Sequence, residues 1–429
     1  MDSSSRSGMT PPPPEASGGP HPADLFDRWA LEALRRHAGP VPVRVRLAKG
    51  PDLSPVSGPA IATITINRRV TLVNLLRNPD VEFGDAFVAG DLEVEGDLVG
   101  LLEAVYRAQE SAGELRPRHA SFSHSPSESR AQIHQHYDVG NDFYRIWLDS
   151  QLVYTCAYFP SPSATLDEAQ VAKMDLVCRK LRLRPGERVI EAGCGWGALA
   201  IHMARQCGVT VRAYNISHEQ IAYARERAAR EGLRDRVAFI EDDYRAIHGS
   251  ADAFVSVGML EHVGPADYQA LGAVIGRVLG DGRGRGLLHF IGRSRPRPLN
   301  PWITKRIFPG AYPPTLVEAI GGVLEPVNLT VLDVENLRLH YAATLDHWRR
   351  RFLASAADVR RMFDASFERA WRLYLSGSQA AFMSGSLQLF QVVFAPAASN
   401  RIPWTRDAPG EYDVTGACNE GGAGLDDQL

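Results

Sequence analysis

From about residue 180 onward, two hydrophobic rhythms alternate along the chain. RVIEAG (188–193), VTVRAYNIS (209–217), RVAFIEDDY (236–244), DAFVSVGM (252–259) and GLLHFIGR (286–293) are short runs rich in apolar and β-branched residues, and they read as strands. Between them, ALAIHMARQCG (198–208), HEQIAYARERAAREGL (218–233) and ADYQALGAVIGRVL (266–279) place apolar residues every three or four positions, as helices do. Gly208 closes the first helix, and Ser217 with Gln220 three residues on marks the start of the second. Strand and helix in strict alternation predict an α/β fold with a doubly wound, mainly parallel sheet. Residues 294–335 interrupt the rhythm with Pro, Gly and aromatics and read as a lid or substrate-binding insertion. A helical stretch follows, and LQLFQVVFA (387–395) reads as a last strand lying antiparallel at one edge.

The first third is patterned differently. DLFDRWALEALRR (24–36) has helical spacing, while PVRVRLAKG (42–50) and IATITINRR (61–69) alternate as half-buried strands do. GDAFVAGDLEVEGDLVGLLEAVYRA (84–108) adds a helix or turn, a short strand and a helix. These predict a small N-terminal α+β domain over 24–115. A Ser-, His- and Arg-rich linker follows at 116–130, and the α/β domain spans 131–398. Residues 1–23 and 399–429 are expected to be disordered or flexible tails.

Composition narrows the functional class. The 429 residues carry a net charge of −3, with 45% hydrophobic and 23% charged residues. Nothing there draws the chain globally to nucleic acid. No run of about 18 apolar residues offers a membrane span, and the N-terminus lacks the apolar core of a secretory signal. Five scattered cysteines without a CxxC pair suggest a reducing compartment and no structural zinc. His134, His136 and Asp138 hint at a metal, but no third histidine is in reach, and no metal is expected.

The sharpest local feature is EAGCGWGAL (191–199). Gly193, Gly195 and Gly197 lie between a predicted strand and helix, where missing Cβ atoms allow positive φ and close approach of a ligand to backbone, and a helix N-terminus offers free N–H groups. The GxGxG spacing is not the GxGxxG of dinucleotide sites. It favours a smaller adenosine-bearing ligand such as S-adenosylmethionine. The alternative is a tight turn with no ligand.

Nine ordered segments then carry a resemblance: HYDVGNDFYRIWLD (136–149), VYTCAYF (153–159), EAGCGWGALA (191–200), DDYR (242–245), SVGMLEHVG (256–264), LLHFIG (287–292), IFPG (307–310), HYAATLDHW (340–348) and FQVVF (390–394). Together they resemble the cyclopropane-fatty-acyl-phospholipid synthases, lipid methyltransferases that use S-adenosylmethionine on a Rossmann-like sheet. GDLEVEGDL (90–98) is similar to the smaller domain of the longer members. The resemblance implies that Gly193, Gly195 and Gly197 pass under the methionine portion of the cofactor. Asn215, Ile216 and Gln220 would serve the ribose, and Asp242 or Asp243 the adenine amino group. Tyr137, Tyr154 and Thr155 would form a flap over the cofactor. Asp242 and Asp243 also fit a solvated acidic loop, and Tyr137 a core aromatic. Asn215 stands where the family has a Thr-Leu-Ser segment, EAGCGWG departs from the commoner LDIGCGWG, and Ser378 stands where some relatives carry cysteine.

The implied chemistry is methylene transfer to a cis double bond of a phospholipid acyl chain. An alkene is a weak nucleophile and needs an aligned, dry site. Methyl transfer leaves a carbocation, and a proton must leave the added methyl before a ring closes. The family uses bicarbonate as the base. By the match its holders are Cys156, Glu261, His289, Tyr341 and the backbone of Ile291. The residues themselves agree in part. Cys156 is flanked by aromatics suited to a cation. Glu261 follows the fourth strand at its carboxyl end. His289, inside an apolar run, needs a partner, and Glu261 paired with His289 or with a bicarbonate proton would satisfy both. His262 fits a structural role better. Loss of a different proton would instead give a methyl- or methylene-branched chain, and methylation of a small soluble acceptor is a further alternative. The expected partner is a phospholipid membrane surface met peripherally from the cytoplasm. The basic stretches RSRPRP (from 293) and HWRRRF (347–352), with Trp302 and Trp348, would meet headgroups, unless they form a solvated basic face. The N-terminal domain could grip lipid, form a homodimer or prop the catalytic domain.

Overall fold

The computed structural model describes residues 22–55, 58–111, 140–280 and 282–400. Readings that fall elsewhere, including most of both tails, the whole linker, Tyr137, His134, His136 and Asp138, lie outside the described residues.

Two sheets organise the chain. The first has the order β2-β1-β3-β4, with β1 Val43–Leu47, β2 Asp52–Leu53, β3 Ala62–Ile66 and β4 Leu92–Gly96. β1 and β3 run parallel, and the outer pairs are antiparallel. Alternation is visible in β1, where Val43, Val45 and Leu47 are buried and Arg44 is exposed. Helices Pro22–Ala38, Arg69–Arg77, Pro79–Ala89 and Leu98–Ser111 accompany this sheet.

The second sheet has seven strands in the order β10-β11-β9-β8-β5-β6-β7. They are β5 Arg188–Ala192, β6 Thr210–Asn215, β7 Val237–Glu241, β8 Ala253–Val257, β9 Arg285–Gly292, β10 Leu329–Asn336 and β11 Gln388–Pro396. β5 to β9 are mutually parallel. Helices cover both faces, so the central strand β8 is buried along its whole length and reads as a continuous apolar run. Successive residues feed opposite cores. Val255, Leu287 and Val393 pack on one face, and Phe254, Leu288 and Phe394 on the other.

Two expectations are corrected here. The insertion does not reach 335, because Leu329–Asn336 is a strand at the sheet edge. A bulge between Val331 and Asp333 breaks its alternation, and Asp333 and Glu335 spend their polarity on Lys180. β11 is antiparallel as expected, but it lies between β9 and β10 rather than at the edge.

The insertion ties the two sheets together. Trp302, on the helix Pro301–Arg306, lies against the helix Pro79–Ala89, and a Cβ added at Gly84 would stand 2.3 Å from its ring. Trp302 Nε1 donates to Asp85 at 3.1 Å, and Arg306 pairs with the same carboxylate at 2.7 Å. The guanidinium holds Asp85 below the usual carboxylate range. Arg369, on the long helix Ala365–Ser384, donates to the Leu92 carbonyl at 2.9 Å.

Candidate active site

β5 lies where the strand order reverses, with β6 on one side and β8 on the other, and a crevice opens beyond the carboxyl ends of these strands. The glycine turn follows β5 directly. Its backbone N–H groups at Gly193 and Cys194 donate to the Tyr214 carbonyl at 2.9 and 3.1 Å, closing the turn onto β6. All three glycines have positive φ, yet they do different work. A Cβ on Gly195 would meet nothing within 4 Å, because this residue faces the crevice. A Cβ on Gly197 would stand 2.5 Å from the Phe239 ring and 2.9 Å from Ala224. Gly197 therefore serves helix–sheet packing beneath the crevice and is not part of its lining.

Tyr154, Thr155, Gly193, Gly195, Asn215, Ile216, Gln220, Asp242 and Asp243 all line the crevice. Asn215 Nδ2 donates to Gln220 Oε1 at 2.7 Å, so these two amides are held as a unit. The Asp243 carboxylate caps Arg245 N at 2.9 Å and pairs with its guanidinium. Asp242 makes only a short local contact, accepting from Asp243 N at 2.8 Å, which leaves it the freer acceptor of the two.

Two crevice residues escaped the sequence reading. Lys173 is buried and donates to Thr155 Oγ1 at 3.0 Å. Burial pulls its ammonium down to about 8 and pushes the buried Glu191 carboxyl up to about 8. The signal was present in periodicity. Ala169, Lys173 and Val177 form one buried stripe of the helix Leu166–Leu181, and a lysine inside an apolar stripe is conspicuous.

A second, larger cavity of about 1260 Å³ adjoins the first. It exceeds the ~300–1,000 Å³ usual for a small-molecule pocket. Glu261, Ile291 and Tyr341 line it, with apolar walls that include Ile303, Phe308, Leu345 and Phe382. The two cavities share Tyr154, Thr155, Gly258 and His262. His262 thus stands at the junction of the two. Aromatic rings crowd this point. Tyr154 lies 5.3 Å from Trp348, and its hydroxyl is 2.7 Å from that of Tyr374. Such rings suit a developing positive charge.

Glu261 sits on the one-turn helix Leu260–Val263, and its Oε1 accepts from Ile291 N at 2.6 Å. Its Oε2 is buried and has no partner among the described residues. Burial pushes this carboxyl up to about 7. The expected Glu261–His289 pair is not formed. His289 Nδ1 lies 3.1 Å from Gln391 Nε2 on the neighbouring strand, and burial holds the imidazole neutral. His289 and Cys156 lie outside the lining of both cavities. Cys156 is fully buried with Sγ 3.1 Å from the Ala157 carbonyl, and burial pushes its thiol up. Cys194 is buried in the turn.

The basic stretches are also corrected. Trp302 and Trp348 are core residues, and Arg293 is buried against the second cavity. In HWRRRF, Arg349 and Arg350 both pair with Asp346, and Arg351 pairs with Asp167. Asp346 answers two arginines at once, and Arg350 remains exposed. Among the described residues no group of three His, Cys, Asp or Glu side chains stands ready to hold a metal.

Comparison with known proteins agrees with this geometry. The family model for mycolic acid cyclopropane synthetase matches residues 124–392, and a domain of unknown function matches 32–115. A probable fatty acid methyltransferase of Pseudomonas putida is 36% identical over 88% of this chain and 97% of its own length. The cyclopropane-fatty-acyl-phospholipid synthase of Escherichia coli K12 is 40% identical over 67% of this chain and 74% of its own. The crystal structure of a mycolic acid cyclopropane synthase complexed with SAH and CTAB superposes with a TM-score of 0.59 at 30% identity, over 62% of this chain and 98% of the other. The chain belongs to the mycolic acid cyclopropane synthetase family and is an S-adenosylmethionine-dependent methyltransferase.

Proposed function

We propose that this enzyme transfers a methylene group from S-adenosylmethionine to a cis double bond in an unsaturated phospholipid acyl chain, closing a cyclopropane ring. The observation that carries the reading is the meeting of two cavities at Tyr154, Thr155, Gly258 and His262. One is a crevice at the glycine turn, and the other is large enough for a lipid chain. A sulfonium methyl held in the first would face an alkene held in the second. As the new C–C bond forms from the alkene π pair, the C–S bond breaks and its pair stays on sulfur. The adjacent alkene carbon is left cationic, beside Tyr154 and Tyr374. Loss of one proton from the added methyl lets its C–H pair close the ring.

Glu261, Tyr341 and the Ile291 segment are the groups that would hold a bicarbonate ion. The fit rests on the orphaned, buried Glu261 Oε2 at the cavity wall. Bicarbonate when bound supplies a base that a carbocation does not trap as a protein ester. Glu261, with a carboxyl near neutrality, can take up or release a proton at that oxygen. Ile291 N already donates to Glu261, so it acts by orienting that carboxyl.

A second reading, methyl-branched product, is favoured by the name of the Pseudomonas putida relative, whose match spans most of both chains. Proton NMR of acyl chains after turnover on monounsaturated phospholipid vesicles separates the two. Upfield ring protons with loss of vinyl protons support cyclopropanation. Retained vinylidene protons or a branch methyl doublet support branching. Acyl chains reside in bilayers, so the reading includes peripheral contact with a phospholipid surface. Among the described residues no helix is long and apolar enough to cross one.

A further inference from the structure

Among the described residues, Arg293 is the buried cation of the RSRPRP stretch, and no carboxylate pairs with it. It follows β9 immediately, two residues after Ile291, and so projects to the same side of the strand and lines the same large cavity. Its relative exposure is 6%. Its backbone is pinned, with the amide donating to Pro314 O at 2.9 Å. Its side chain is not. Nε is buried without a hydrogen-bond partner, and the guanidinium makes no ion pair among the described residues. Arg297, on the same wall, is occupied. It pairs with Glu110 and donates to Ser386 Oγ at 2.9 Å.

A guanidinium taken out of water without a counter-ion is costly, and folded proteins pair or coordinate such groups. Burial lowers Arg293 to about 9, with Arg297 adding repulsion. The carboxylates that line this cavity, Glu261 and Asp80, stand outside ion-pair reach of it. Arg36, His37 and Arg297 add further basic groups to the same wall system, and Tyr106 a buried hydroxyl. The cavity therefore has two chemically distinct regions: an apolar and aromatic stretch near Tyr341 and Phe382, and an electropositive one around Arg293.

We propose that Arg293 is an anion-binding subsite of the acceptor cavity, taking the phosphodiester of the phospholipid whose acyl chain lies along the apolar walls. This rests on the lipid reading above. The planar guanidinium fork matches two phosphate oxygens at once. Filling the subsite supplies the missing counter-ion, so headgroup binding relieves a cost that the empty protein carries.

The test compares wild type with Arg293→Gln and Arg293→Lys. Substrates are a monounsaturated phosphatidylcholine and a diacylglycerol with the same acyl chains, each in mixed detergent micelles. Wild type is expected to prefer the phosphodiester lipid. Arg293→Gln should lose that preference, through a rise of about 10–100-fold in KM for the phospholipid, and Arg293→Lys should recover part of it. Melting without substrate gives a second readout. Arg293→Gln should melt at or above the wild-type temperature, since an unpaired buried charge is removed. A short-chain phosphatidylcholine should raise the melting temperature of wild type but not of Arg293→Gln. Inorganic phosphate is the control: if it gives the same Arg293-dependent shift, the site is one for free anions and the headgroup assignment fails. Equal loss on both lipids, or a lower melting temperature of the unliganded variant, would make the arginine structural and overturn the proposal. If wild type methylates neither lipid and short-chain phosphatidylcholine gives no shift, the lipid reading itself has failed. Turnover of both lipids at equal rates by wild type would overturn the subsite alone.

Discussion

Replacing Glu261 with Gln removes a buried carboxyl whose proton affinity is set by its surroundings. The side chain is 6% exposed, and burial lifts its pKa from 4.5 to about 7. Gln keeps the acceptor for Ile291 N, so the local hydrogen bond at 2.6 Å survives the change. What the variant loses is ionisation. The unfolded chain ionises this group as pH rises through 4.5, whereas the folded chain holds the proton until about 7. Between these values the folded state binds more protons, so wild-type stability falls as pH rises. Above 7 the penalty is constant, and below 4.5 it is absent. At about 1.4 kcal/mol per pH unit, the full penalty is ~3 kcal/mol. Roughly 0.8 kcal/mol of it is present at pH 5 and nearly all of it at pH 8. Urea unfolding of both proteins at pH 5 and pH 8 should therefore show the variant gaining about 2.5 kcal/mol on wild type between the two. Turnover should be abolished while affinity for S-adenosylhomocysteine stays within a few-fold. A stability gap independent of pH, or a variant less stable than wild type at pH 8, would refute the claim that burial governs this carboxyl.

Gly195→Ala and Gly197→Ala separate binding from packing. The first should lose at least about 10-fold in S-adenosylhomocysteine affinity by calorimetry with only ~1–2 kcal/mol of left-handed backbone strain. The second, with its Cβ 2.5 Å from Phe239, should lower the urea midpoint by a further ~1–3 kcal/mol; indistinguishable variants would contradict the assignment. Lys173→Met removes the cation that holds the Glu191 carboxyl down, so the variant should lose stability relative to wild type as pH rises from 7 to 9, and adding Glu191→Gln should abolish that pH dependence in the same unfolding assay. Gly84→Ala drives a Cβ into the Trp302 ring at 2.3 Å. It should loosen the joint between the sheets, seen as faster limited proteolysis with donor affinity unchanged.

The α/β alternation was legible because central parallel strands are covered on both faces and so carry mostly apolar runs, as in β8 and β9. β10 was not, since an edge strand with a bulge and two carboxylates answering Lys180 has no such run. With β10 unseen, β11 could not be placed inside the sheet. In the site, the glycine turn announced itself, but only the Phe239 ring behind Gly197 tells a packing glycine from one that faces a ligand. The basic stretches misled for one physical reason. Composition shows charge, not burial, so Arg293, Trp302 and Trp348 looked like a surface and are interior. His289 needed a partner, as read, yet Gln391 comes from a strand about 100 residues away whose register no local pattern gives.

The central claim is that a methyl passes from the crevice to the large cavity across Tyr154, Thr155, Gly258 and His262. Its most direct test is incubation of the purified protein with S-adenosylmethionine carrying a ¹³C methyl and with monounsaturated phospholipid vesicles, followed by mass spectrometry of the acyl chains. The account predicts one labelled carbon added to the unsaturated chains and none to saturated ones. Label that appears only in water-soluble acceptors, with the lipids unchanged, would contradict it.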